Sequence, residues 1–201
     1  SYGLDWLEAM THPDGDIAFF NDAALGIAPS LAEITSYSAD VSCPRASPAR
    51  SFPHVEHLTE SGYVVVEFAP DTKAILDIAP IGPAHQPGHT HADTLSFELS
   101  VGGRRVIVNS GTSTYSVGPE RHRQRSTAAH STVALDGLNS SDVWKSFRVG
   151  RRARPFDTRI ERDSAAITVT ASHDGYAHLP GRPIHTRRWR LEPRRLLVTD
   201  T

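Results

Sequence analysis

The sequence predicts an all-β domain, a sandwich or a barrel, preceded by a short helical stretch, and two observations carry that prediction. After Pro53, short segments rich in Val and Ile (63–68, 73–79, 95–101, 104–108, 132–135, 166–170 and 196–198) alternate with turn residues, the pattern of strands joined by tight connections. Gly102-Gly103 joins two of them as a hairpin. Many short strands with turn signals between them point to stacked or closed sheets. Residues 1–37 differ: Leu4, Leu7 and Met10 recur at helical spacing with Trp6 beside them.

The helical stretch is broken at 12–16, where Pro13 and Gly15 make a turn. A second helix is expected from about Asp22, as its N-cap, towards Tyr37, interrupted by Gly26 and Pro29. Residues 39–53, with Pro44, Pro48 and Pro53, read as a linker. The division expected is therefore 1–38 helical, 39–53 linker and 54–201 β. Without helical partners, Leu4, Trp6, Leu7, Phe19 and Phe20 are expected to stay partly uncovered.

At 201 residues the chain suffices for one domain with a proper core. A hydrophobic share of 38%, with 22% charged, fits a folded globular chain. The net charge of −2 argues against a general nucleic-acid binder. The basic cluster Arg187, Arg188, Arg190, Arg194 and Arg195 reads as a solvated strand face, with a polyanion site as the alternative. Cys43, the single cysteine, excludes an internal disulfide. No apolar run is long enough to span a bilayer. The chain opens without Met inside an apparent helix, as a piece of a longer protein would; a signal peptide upstream would make the parent periplasmic or secreted.

The densest chemical signal is Pro87-Gly88-His89-Thr90-His91-Ala92-Asp93, just before a strand. If the segment is extended, His89, His91 and Asp93 share one face with Leu95, Phe97, Leu99 and Val101, while Ser96, Glu98 and Ser100 take the other. Histidines two apart suit a metal, and equally suit a hydrogen-bonded surface pair. Asn109 ends a strand before a glycine turn, and His130 stands immediately before another expected strand. Asp93 could be a metal ligand or could orient an imidazole from behind.

Four stretches in order, GHTHADTLSFEL, VIVNSGTSTY, RSTAAHSTVALDG and VWKSFRVGRRA, resemble the heparinase II/III-like polysaccharide lyase family, closely over about 80–155. The opening WLEAMTHPDGDIAFFNDAALGIAP resembles the end of that family's helical toroid. The resemblance implies an antiparallel β-sandwich with a helical remnant at its N-terminus. It assigns His89 to the substrate, for proton transfer or for holding a uronate carboxylate, and His91 and His130 to a divalent metal, zinc in the family. Asn109 occupies the position of the middle ligand, where the family has Asp; a neutral oxygen there should weaken metal binding. Tyr115 matches a tyrosine that reaches the site in some members. Arg121, Arg123 and Arg125 could grip substrate carboxylates, with a solvated loop as the alternative. Trp144, Phe147 and Arg148 look like core and edge residues.

The implied activity is β-elimination on an acidic, uronic-acid-containing polysaccharide of heparan sulfate or alginate type. The usual tyrosine base belongs to the toroid, so the chain alone should be inactive, and its missing partner is that helical domain. Two other readings remain open: a cupin-like metal module, against which stands the distance of Glu98 from the histidine pair, and a non-catalytic carbohydrate-binding module.

Overall fold

A computed structural model of the chain describes residues 2–41 and 51–201; most of the proline-rich stretch expected as a linker, 42–50, lies outside them. Two helices come first, α1 (Tyr2–Ala9) and α2 (Leu31–Asp40). The strands β1 (His54–Leu58), β2 (Tyr63–Ala69), β3 (Thr72–Asp77), β4 (Phe97–Val101) and β5 (Arg104–Ile107) form one antiparallel sheet in that order. A short helix α3 (Pro119–Arg125) and a hairpin of β6 (Val143–Trp144) with β7 (Arg148–Val149) follow. The strands β8 (Pro155–Arg162), β9 (Ile167–His173), β10 (His185–Glu192) and β11 (Arg195–Asp200) make a second antiparallel sheet. The architecture is all-β with a small helical part, as expected.

The core lies between the sheets. Val64, Val66, Ala74, Leu76 and Phe97 meet Ile167, Val169, Ala171, Trp189 and Leu191, because alternate side chains of each strand face the same way. The opposite face of the five-stranded sheet is covered too: Tyr63, Val65 and Ile75 pack against Ala9, Met10, Ala18 and Phe20. The N-terminal segment is thus a third layer, and Leu4 and Phe20 are buried rather than uncovered; Trp6 does stay exposed, donating to Ser61 Oγ at 2.9 Å.

Polar contacts pin this layer down. Lys73 Nζ donates to the carbonyls of Glu8 and Thr11 at 3.1 and 2.7 Å, and Arg105 forks onto Asp14. Glu98, fully buried, accepts from the amides of Phe19 and Asn109 at 3.0 and 2.8 Å and meets His12 Nε2 at 2.8 Å. Glu98 is therefore committed to joining the two segments, which removes the cupin-like alternative's nearest glutamate.

Four local expectations fail for physical reasons. The second helix starts at Leu31, because Ser30 and Glu33 form a reciprocal capping box and Asp22 caps nothing. The 132–135 segment is not a strand: the Ser131 hydroxyl bonds the amide and carbonyl of Phe97 in place of a ladder. The His-x-His segment turns instead of extending, and Leu95 takes φ 64° where β4 was expected to begin. Arg187 faces inward, while Arg188 on the same strand faces solvent.

Candidate metal and acid–base site

The site forms where the loop before β4, the loop after β5, helix α3 and the N-terminal segment meet. Asn21 has φ 56°, a left-handed conformation that Asn tolerates better than most residues, and this turn sets Asp22 over the loop. Gly111 keeps the arrangement close: its φ is 53°, and a Cβ there would come within 2.4 Å of the Ala23 carbonyl. The amides of Gly111 and Thr112 clip this loop to the carbonyls of Phe19 and Ala23.

Asp22 is the residue that sequence reasoning misplaced. One of its oxygens meets His91 Nε2 at 2.9 Å and the other meets His89 Nδ1 at 2.9 Å. Arg121 forks onto both oxygens, with Nη2 at 2.8 Å from Oδ2. Burial would raise this carboxyl, but the bonds from His91, Arg121 and His89 outweigh it and hold the group at about 2. An Asp before two alanines reads locally as a cap, whereas its partners stand 67, 69 and 99 residues away; spacing carries no trace of them.

The expected metal residues converge. His91 and His130 have ring centroids 5.3 Å apart, and His91, Asp93 and His130 can each bring one ligand atom within 4.8 Å of the others. His91 Nδ1, Asp93 Oδ2 and His130 Nε2 are all buried without a hydrogen-bond partner. Such orphans are costly unless something absent from the protein satisfies them. Burial lowers His130 to about 3, helped by the neighbouring His91, so its imidazole is neutral; burial raises Asp93 to about 6. Two imidazole nitrogens with a carboxylate oxygen form a donor set that suits a divalent cation.

Asn109 stands differently from its expected place as the middle ligand. Its Oδ1 accepts from His130 Nδ1 at 2.7 Å while its Nδ2 donates to Ser96 Oγ at 3.2 Å. Asn109 thus holds His130 from behind, and the unpartnered oxygen beside the two histidines is Asp93 Oδ2.

His89 and Tyr115 also come together, at the surface. The His89 side chain is 58% exposed, and its ring lies 5.8 Å from Tyr115 and 5.7 Å from Phe147. Phe147, expected as an edge residue, thus walls the histidine, and the Arg121 guanidinium sits beneath both aromatic rings.

Arg121 and Arg125, expected to grip substrate carboxylates, are both buried. Arg121 is committed to Asp22, Thr112 Oγ1 and the Ser146 carbonyl. Arg125 donates to the Thr90 carbonyl at 3.0 Å, and burial with the nearby Arg121 lowers it to about 10, still charged at neutral pH. With Gln124 they make one buried polar face of α3 at i, i+3, i+4 spacing. Arg123 does face solvent, paired with Glu120.

Beside the site a cavity of about 1240 Å³ is lined by Asn21, Tyr63, Ile81, Arg152, Arg154 and His178, among others. Asn21 bridges the two places, its Oδ1 accepting from the His91 amide at 3.2 Å.

Among solved structures, the chain is similar to heparan sulfate lyases and heparinases. A heparan sulfate lyase from Pedobacter heparinus, as a mutant, superposes with a TM-score of 0.71 at 21% identity, covering 98% of this chain and 31% of its own. A heparinase III superposes with a TM-score of 0.70 at 16% identity, covering 98% and 33%. At such identities the likeness establishes the fold, and the chain spans about a third of the length of these proteins. None of the curated proteins matches the sequence. Among the described residues no helix is long and apolar enough to cross a membrane. Residues 52–201 match the family model described as heparinase II/III-like, C-terminal, and the chain belongs to that family.

Proposed function

We propose that this chain is the β-sandwich portion of a lyase that cleaves a uronic-acid-containing polysaccharide by β-elimination, with a preceding helical domain supplying the other cleft wall. The observation that carries this reading is His89: its Nδ1 is held by Asp22 at 2.9 Å, and its exposed ring stands beside Tyr115 over a buried cluster of metal-type ligands. In the elimination a base takes the C5 proton, its electron pair becomes the C4=C5 double bond, and the C4–O bond breaks as the leaving oxygen gains a proton. A positioned imidazole and phenol can move those protons, and a cation or hydrogen-bond donor must offset the charge growing on the carboxylate. With Arg121 and Arg125 buried, Arg152 and Arg154 along the neighbouring cavity are the cationic groups proposed to meet an acidic polymer.

His91, Asp93 and His130 are proposed to hold a divalent ion, zinc by the family resemblance. Such an ion would supply positive charge and fix the loop that carries His89; an elimination requires no activated water. Half a cleft positions a polymer poorly, so this chain alone should turn over little substrate.

The test is product analysis with the longer protein on heparan sulfate and alginate. Ultraviolet-absorbing 4,5-unsaturated ends are expected, and His89→Ala should lower turnover at least about a hundredfold. Saturated, hydrolysed ends would end the lyase reading.

A further inference from the structure

The two histidines of the His-x-His segment share one carboxylate, and the hydrogens on their rings follow from that. Asp22 has only acceptor oxygens, so the ring nitrogens facing it must be the donors. His91 Nε2 and His89 Nδ1 therefore carry hydrogen, each 2.9 Å from a different oxygen of Asp22. The remaining lone pairs point to different tasks: that of His91 is on Nδ1, buried and unpartnered, and that of His89 is on Nε2 of an exposed ring. Nothing else among the described residues bonds these rings.

We propose that Asp22 is the positioning residue of the site, one carboxylate that sets the tautomer of both imidazoles and so opens His91 Nδ1 to a metal and His89 Nε2 to a substrate. A ligating histidine backed by a carboxylate is a recurring device for fixing ring orientation. Here the same carboxylate also serves the neighbouring histidine, and the buried Arg121 guanidinium keeps it anionic and fixed in place. Asp22 lies outside the residues matched by the family model, so the segment before the β domain completes the site rather than merely preceding it. The inference rests on the lyase reading only for what His89 does to a substrate; the tautomers and the metal affinity stand apart from it.

Nitrogen-15 NMR of the histidine rings in this chain, metal-free at pH 8, tests it directly. Protonated Nδ1 for His89 and protonated Nε2 for His91 are expected; the opposite tautomer at either ring would overturn the proposal. Asp22→Asn is the second arm. It should shift His89 towards the Nε2-protonated form and weaken zinc binding by about tenfold to a hundredfold. Asp14→Asn, which also takes an arginine's partner but at the surface, should change neither. A folded Asp22→Asn protein with wild-type tautomers and zinc affinity would refute the proposal. If that variant fails to fold, the wild-type spectrum decides alone. Absence of lyase activity in the longer protein, with both tautomers as expected, would count against the function, not against Asp22.

Discussion

The molecule buries two pairs of histidines at nearly the same separation, His91 with His130 at 5.3 Å and His173 with His185 at 4.9 Å between ring centroids, and the pairs differ in what their nitrogens meet. In the second pair every nitrogen has a partner. The Gly175 amide donates to His173 Nδ1 at 3.0 Å, so His173 Nε2 is the donor towards His185 Nδ1, and His185 Nε2 donates to Asp200 at 2.8 Å. Arg187 closes the circuit onto both oxygens of Asp200 and reaches the carbonyls of Leu95 and Ser131. In the first pair, one nitrogen of each ring is held by Asp22 or Asn109 and the other is left open. Burial and proximity are common to both pairs; unmatched ligand atoms are what separate them.

The closed circuit should behave as structure, and the largest effect is expected there. Arg187→Ala removes a buried cation that joins β10 to β11 and to two loop carbonyls. It should cost about 3 kcal/mol in denaturant unfolding while leaving zinc affinity unchanged. A loss of zinc binding in that folded variant would blur the distinction between the two clusters.

The next effect is a pH dependence. Burial, with His185 and Arg187 nearby, lowers His173 from its ordinary 6.5 to about 3. Between those values the unfolded chain takes up a proton that the folded one refuses, so stability is full above about 6.5 and falls as pH drops towards 3. The slope from this group is at most about 1.4 kcal/mol per pH unit. Urea midpoints measured from pH 7 to pH 4 should flatten in His173→Asn by that contribution; an unchanged slope would mean that His173 titrates normally.

The smallest contrast sharpens the open cluster itself. Asp93→Ala should weaken zinc binding by at least about a hundredfold, and Asn109→Ala by about tenfold, since a ligand matters more than the group behind it. The reverse order would reinstate Asn109 as the third ligand.

Much of the fold is legible in the sequence because the Val-rich strand β2, the apolar run of β3 and the Gly102-Gly103 hairpin obey local rules. Strands such as β1, β8 and β10 escape notice because they are rich in His, Arg and Glu, and in β10 the buried face includes a charged residue, Arg187. In the candidate site, the approach of His91 to His130 follows the motif order, and the Tyr115 ring lies 5.8 Å from that of His89. Asp22 and the burial of Arg121 are not, since each depends on a partner 99 residues distant across the N-terminal layer. Asp93 is visible as a candidate, but only the turn at Leu95 decides which way it faces.

The most direct test of the contrast is a competitive zinc titration of this chain with its His130→Ala and His173→Ala variants. One equivalent is expected to bind the wild-type chain, the affinity falling at least about a hundredfold in His130→Ala and staying within about threefold in folded His173→Ala. A wild-type chain that takes up no zinc, or one whose binding depends on both histidines alike, would contradict the assignment of the open cluster to a metal.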